Sequence, residues 1–368
     1  MGESQERLGA VPFSDVGLYR ALAGFAQDAG VSLDHPSLIE DFSASLGIQL
    51  ASAAANPIVL YGLGAEMMFD WTVNALGRSI LIQPLDSDLA GTLHGEAVGA
   101  PDYLIVTDEG TRLVVEVKNC ASKANPPKRS DKREYLEGLV RYANALGAEA
   151  KVAVFWVEYG LWTLVDVSHL LMTSRAKRVV MTMTGALSQS EMSTLGDRLV
   201  YLEEYPFRFR LDYAIQDRRS QGDGRETLGL VVSDVAMTLG SRRVTDPEDS
   251  RILWFLAMYA MRIDGGEELE LDSDKSAHME FIAGHDSETA ESDSFGLGPL
   301  SSALARCFQL ACRGDNGEMR RLSVAPVGEG HPVRRLLDGR GGNEIGLTLI
   351  ALQPQRMADA EGADGAGG

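Results

Sequence analysis

Residues 101–118, PDYLIVTDEGTRLVVEVK, constrain this chain more than any other stretch. An apolar run Tyr103–Val106, a polar turn Asp108-Glu109-Gly110 and a second apolar run Leu113–Val117 predict a β-hairpin. Glu116 and Lys118 are two residues apart on the second strand, so they share one face of the sheet. Asp102 opens the first strand directly after Pro101, where the turn brings its carboxylate toward that of Glu116. Two carboxylates and an amine at one end of an apolar sheet are costly unless they are paired. A divalent cation between Asp102 and Glu116 removes their repulsion and leaves Lys118 facing a metal-bound water.

Pro101-Asp102, thirteen intervening residues and then Glu116-Val117-Lys118 resemble the signature of the PD-(D/E)xK nuclease superfamily, the restriction endonuclease-like and Holliday-junction-resolvase-like enzymes. The resemblance covers roughly residues 57–167. It implies an α/β fold, with a mixed sheet flanked by helices in the order helix–strand–strand–strand–helix–strand. It also implies a divalent-metal-dependent DNA endonuclease. Mg2+, with Mn2+ as a substitute, would be held by Asp102, Glu116 and the backbone carbonyl of Val117, while Lys118 orients the attacking water. Family members often carry a further acid on a preceding helix; Glu66 in GLGAEMMFDWTVNALG takes that place, for a second ion or a metal-bound water. One departure stands out: some members have a glutamine four residues before a helix tyrosine, and before Tyr142 that position is Gly138. Glu137 and Arg141 are the polar residues there instead.

The net charge of −19 argues against a protein that coats nucleic acid non-specifically, because phosphate contacts need lysine and arginine. A local basic surface is compatible with it. Lys123, Lys128, Arg129, Lys132 and Arg133 come soon after Lys118 against a single acid, Asp131; they read either as a DNA contact or as a solvated loop entering a helix. The apolar fraction of 45% and charged fraction of 24% are ordinary globular values. No apolar run reaches membrane-spanning length, and the first residues lack a signal-peptide pattern. Cys120, Cys307 and Cys312 form neither a zinc spacing nor a disulfide framework. A soluble protein of the reducing cytoplasm is expected.

Four segments are expected: N-terminal helices over 1–56, the nuclease-like domain over 57–173, an α+β domain over 174–357 and a disordered tail over 358–368. Helices are predicted over 14–29 with Ser14 as cap, from Pro36 to Ala54, and through Glu66 to Gly77. A strand at Ser79–Pro84 and a loop containing His94 and Glu96 lead to the hairpin. After it come a helix over 131–146 and strands at 151–157 and 160–167. Further on, Ser188 and Glu191 resemble a capping box opening a helix to Leu202. EYPFRFRLDYAI over 204–215 alternates aromatic and basic residues; it reads either as a single-stranded nucleic-acid platform or as a strand with its aromatics in a core. Asp246-Pro247 starts an apolar helix, 265–296 an acidic loop holding His278 and His285, and Pro299–Arg313 another helix. Short strands close the fold near 321–327 and 345–352. GxxxxGK[ST], GxSxG and HExxH are absent, so any ATP-driven movement would come from a partner chain.

The architecture suits a bacterial defence or restriction effector, whose C-terminal part senses a trigger, binds a partner or holds a homodimer together. The alternatives are a repair or branched-DNA nuclease, and an inactive nuclease-like subunit that binds DNA or assembles a complex.

Overall fold

The computed structural model describes residues 15–85, 91–93, 96–173, 175–203, 207–220, 226–261, 263–265, 268–283, 295–314, 324–328, 330–340, 342 and 345–354. Ser14, His94, His285, part of 321–327 and the C-terminal tail lie outside them. The chain divides into two compact units, 1–62 and 63–368.

In the first unit lie α1 (Asp15–Ala29) and α2 (Leu38–Ala54), and the unit boundary falls within α3 (Pro57–Leu76). Gly30 at φ +66° ends α1, and Phe25 meets Phe42 at 5.6 Å between ring centroids. Ile39, Ile48, Leu50 and Ile58 of this unit are exposed. Among the described residues no single helix is long and apolar enough to cross a membrane; α2 and α3 pass only when joined, with an 81° bend at their break.

The second unit is built on a five-stranded mixed sheet. Its strands are β1 (Ser79–Pro84), β2 (Tyr103–Thr107), β3 (Arg112–Cys120), β5 (Glu149–Trp156) and β6 (Leu161–Asp166), neighbours in that order. Between β3 and β5 come β4 (Lys128–Lys132) and α4 (Arg133–Ala145). Only β3 and β5 run parallel, because a helix returns the chain between them; the other pairs are antiparallel. The hairpin closes on Gly110 at φ +83°, a conformation that costs glycine little.

Alternation along β3 and β5 sends side chains to two cores. Val115, Val117, Ala153 and Phe155 join Phe69 and Trp71 of α3 on one face. Val114, Val152, Val154 and Trp156 join Leu136 and Leu139 of α4 on the other. The apolar residues of α3 make no clean stripe in the sequence because its C-terminal half is buried on almost every side, from Gly64 to Leu76.

The predicted boundary at 173–174 does not separate two cores. Phe207, Leu253, Leu256, Leu300 and Leu304 belong to the same buried cluster as Phe69 and Val115. The chain beyond residue 174 is α+β, as expected. β7 (Arg178–Thr182) pairs with β4, and β8 (Leu199–Leu202) lies between strands Phe295–Pro299 and Leu347–Ile350. β9 (Phe207–Ser220) lies between β10 (Glu226–Leu239) and β11 (Ser276–Ala283). Helices α5 (Pro247–Tyr259) and α6 (Leu300–Cys312) pack into the shared core.

Two local expectations fail, each for a tertiary reason. Glu191 does not cap a helix running to Leu202; it bonds buried Lys151 at 2.7 Å. The turn Met192–Leu195 then ends at Gly196, φ +105°, where an added Cβ would lie 2.7 Å from the Leu76 carbonyl oxygen. The described part of the acidic loop holds strands Glu270–Ser273 and β11, and His278 is buried there, its Nδ1 2.9 Å from Asp272. Over 204–215 the core reading holds for Phe207 and Phe209, which are buried, with Phe209 stacked on Phe281 at 4.5 Å, while Tyr213 is half-buried.

A short helix, Pro332–Leu337, is capped by His331, whose Nδ1 accepts from the Val333 N–H at 3.3 Å. Burial beside Trp71 and Phe255 lowers the His331 pKa from its usual range. The cap needs the neutral ring, whereas the unfolded chain takes up a proton there below about pH 6.5. A depressed folded pKa means that stability is present above that pH and lost as pH falls. The stability that His331 contributes should therefore fall between pH 7.5 and 5.5. It is read as the difference between the unaltered chain and a His331 variant, because the raised Asp102 carboxyl moves the whole curve the other way in that window. His331→Asn, which keeps a capping acceptor, should melt lower at pH 7.5, by a margin that narrows toward pH 5.5.

Candidate active site

The predicted triad comes together on one face of the sheet. Tyr103 of β2 pairs with Val115 of β3, which sets Asp102 beside Glu116 at the open end of the hairpin. The Val117 N–H donates to Asp102 Oδ2 at 2.6 Å, so the first carboxylate is held by the backbone between Glu116 and Lys118. Lys118 Nζ donates to Glu116 Oε1. Glu116 is 4% exposed, a value few carboxylates have without a partner.

The electrostatics record the crowding of these acids. Burial, and then the charge of Glu116, push the Asp102 carboxyl up to about 7, although the Val117 N–H pulls it back. Burial and then Glu116 also raise Glu66, with Lys118 opposing. One lysine thus balances several acids that influence one another, and positive charge is in deficit.

Glu66 lies on α3, half-buried and within electrostatic reach of the triad. Its backbone carbonyl accepts from the Tyr103 hydroxyl at 3.0 Å, which ties α3 to the base of the hairpin. Among the described residues no three His, Cys, Asp or Glu side chains form a preformed metal-binding set. In this structure the acid on the preceding helix influences the pair through its charge.

Two neighbours escaped the sequence reading. Tyr135, in the first turn of α4, lies 5.6 Å from Lys118 Nζ, measured to its ring centroid. Burial, and then the charge of Glu116 and a hydrogen bond to it, raise its pKa. Asp70 stands one turn after Glu66 and is raised by burial. Helical spacing was a usable signal for Asp70. No sequence signal marks Tyr135, because the contact exists only after α4 folds back over β3.

The basic cluster divides. Lys123, Lys128 and Lys132 are exposed. Arg129 is paired with Asp131, Nε to Oδ2 at 2.7 Å. Arg133 donates to Glu137 at 3.1 Å and to the carbonyls of Leu171 and Ala176 at 2.9 and 3.2 Å, which makes it a structural fastener of α4. The expected loop here contains β4, paired with β7.

No protein-family model matches the chain, and no curated protein matches it. Among solved structures it is similar to the 1.6 Å structure of Hjc, a Holliday junction resolvase from the hyperthermophilic archaeon Archaeoglobus fulgidus. Identity is 21%, the match covers 31% of this chain and 84% of that one, and the TM-score is 0.25. A TM-score so low carries no functional weight, and the side chains at the hairpin must speak for themselves.

The donor set fits a hard divalent cation. Asp102 and Glu116 offer carboxylate oxygens, Val117 offers a backbone carbonyl, and the pair has too little positive charge of its own.

Proposed function

We propose that the chain is a divalent-metal-dependent DNA endonuclease of the PD-(D/E)xK type that hydrolyses phosphodiester bonds. One observation carries the reading: Asp102, Glu116 and Lys118 meet at the end of a mixed sheet, with Asp102 bonded to the backbone of the Glu-Val-Lys segment itself. Asp102, Glu116 and the Val117 carbonyl would hold Mg2+, or Mn2+ in its place. Such an ion supplies Lewis acidity at the scissile phosphate and lowers the pKa of a bound water.

The chain's own groups do the rest. Lys118 is the only cation bonded to the acidic pair among the described residues, and its amine is positioned to stabilise charge developing on a phosphoryl oxygen. Tyr135 borders that amine and limits where it can go. The Val117 N–H keeps Asp102 oriented. Glu66 adds negative charge behind the pair and favours cation uptake. Lys123, Lys128 and Lys132 are the residues proposed to meet the DNA backbone, in a chain otherwise too acidic to bind it.

The defence or restriction role, the cytoplasmic location and a homodimer or partner engaged through the C-terminal part belong to the same proposal. One such site cuts one strand, so a double-strand break calls for two copies. No disulfide joins Cys120, Cys307 and Cys312, which suits a reducing compartment.

Incubation of the purified protein with supercoiled, linear, branched and single-stranded DNA tests the reading. Cutting is expected in Mg2+ or Mn2+ and none in EDTA. DNA that is shifted on a gel but stays intact with either metal would favour a binding subunit over an enzyme.

A further inference from the structure

A cavity of about 500 Å3 lies on the α3 side of the sheet, away from the carboxylate pair. Its volume falls in the range that small-molecule sites occupy. Its walls come from the turn after β5, the end of α5 and one face of α6.

The α6 wall is polar at a helical repeat. Ser302, Arg306, Gln309 and the adjoining Arg313 line the cavity at steps of four, three and four residues. Arg306 and Arg313 are exposed, and among the described residues neither has an ion-pair partner. The Ser302 hydroxyl is buried with no hydrogen-bond partner among the described residues, an arrangement that costs stability unless something else supplies the bond. No acidic residue is among the described residues lining the cavity, in a chain whose net charge is −19. Local positive charge against so strong a background marks an anion site.

Two tyrosines also line the cavity. Tyr159, at the tip of the β5–β6 hairpin, is 49% exposed and lines the opening. Tyr259 lines it from α5 and is braced by Phe255 at 5.0 Å between ring centroids. Guanidinium groups and aromatic rings lining one cavity suit a ligand with a flat ring system at one end and phosphate at the other.

We infer that this cavity binds a nucleoside phosphate. The site is independent of the nuclease reading. It is not remote from the catalytic strand, however: the turn bearing Tyr159 is bonded to β3, Val157 N–H to the Cys120 carbonyl at 3.1 Å, two residues beyond Lys118.

Calorimetric titration of the full chain with ADP and GDP in EDTA tests the inference, with the metal removed so that the carboxylate pair cannot contribute. At least one of the two should bind at a single site, with pyrophosphate and the free nucleosides weaker. The double variant Arg306→Glu, Arg313→Glu changes exposed residues and should fold, checked by circular dichroism; its affinity should fall at least tenfold, on the order of one charge-assisted contact. Tyr159→Ala should weaken the nucleotide while leaving pyrophosphate binding unchanged. No binding of either nucleotide at ~1 mM, equal affinity in the charge-reversed variant, or pyrophosphate binding as tightly as ADP would each overturn the inference. Preference for a 5′-phosphorylated oligonucleotide over both nucleotides would also overturn it, by assigning the cavity to nucleic acid.

Discussion

Purified Lys118→Ala should cut supercoiled DNA at least ~100-fold more slowly than the unaltered chain, in Mg2+ and in Mn2+ alike. Loss of one preorganised charge donor at an oxyanion costs on the order of 100-fold to 1000-fold in rate, and the described residues offer no second amine bonded to the pair. Asp102→Asn and Glu116→Gln should be as severe, because each would remove one of the two carboxylates proposed to hold the metal. Glu66→Gln should be milder, since Glu66 bonds neither acid of the pair here and influences them through its charge. Tyr135→Phe should be milder still, losing one hydrogen bond to Glu116 while the ring stays beside the amine. Melting temperatures measured with Mg2+ keep folding and chemistry apart. Undiminished cutting by a folded Lys118→Ala would sink the assignment.

The largest expected loss of stability lies elsewhere, at Lys151→Ala. This lysine of β5 is 2% exposed and touches three carboxylates, Glu149 at 2.8 Å, Asp166 at 2.9 Å and Glu191 at 2.7 Å. Burial pulls its pKa down, but bonds to three carboxylates outweigh that and hold it above its ordinary range. Asp166 shows the reciprocal effect: burial raises its pKa, and the lysine more than reverses the shift. Removing the amine strands these acids against one another. Breaking a buried pair in this way costs about 3–5 kcal/mol, a large part of the ~5–15 kcal/mol that holds a domain together. Glu149→Gln should cost well under ~1 kcal/mol, because Glu149 is 56% exposed and water screens its share. Urea unfolding curves of the two variants should separate widely; similar midpoints would mean that the cluster does not anchor β6 and the 183–195 segment to the sheet.

Much of the local structure was legible in the sequence. β1 runs over Ser79–Pro84 as predicted, and the hairpin, α4, β5 and β6 differ from expectation only at their ends. Local signals sufficed there: period-two alternation, glycines at the turns that need positive φ, and a helical stripe on α4. The juxtaposition of Asp102, Glu116 and Lys118 was legible for the same reason. A tight hairpin fixes register, and register fixes which side chains share a face and an end.

Three things were not legible. The joining of 57–173 with the later segments into one core is a matter of long-range packing, which no window of sequence reports. The role of Glu191 depended on Lys151, forty residues earlier and buried. The fates of Arg129 and Arg133 depended on partners that the chain brings in from several directions. Sequence alone determined the strands, the hairpin and the chemistry gathered at its open end, because those rest on neighbours a few residues apart and on one turn. Tertiary structure alone decided which charges are spent on folding and which stay available, because a charged side chain commits to the nearest partner in space, and that partner is set by the whole fold.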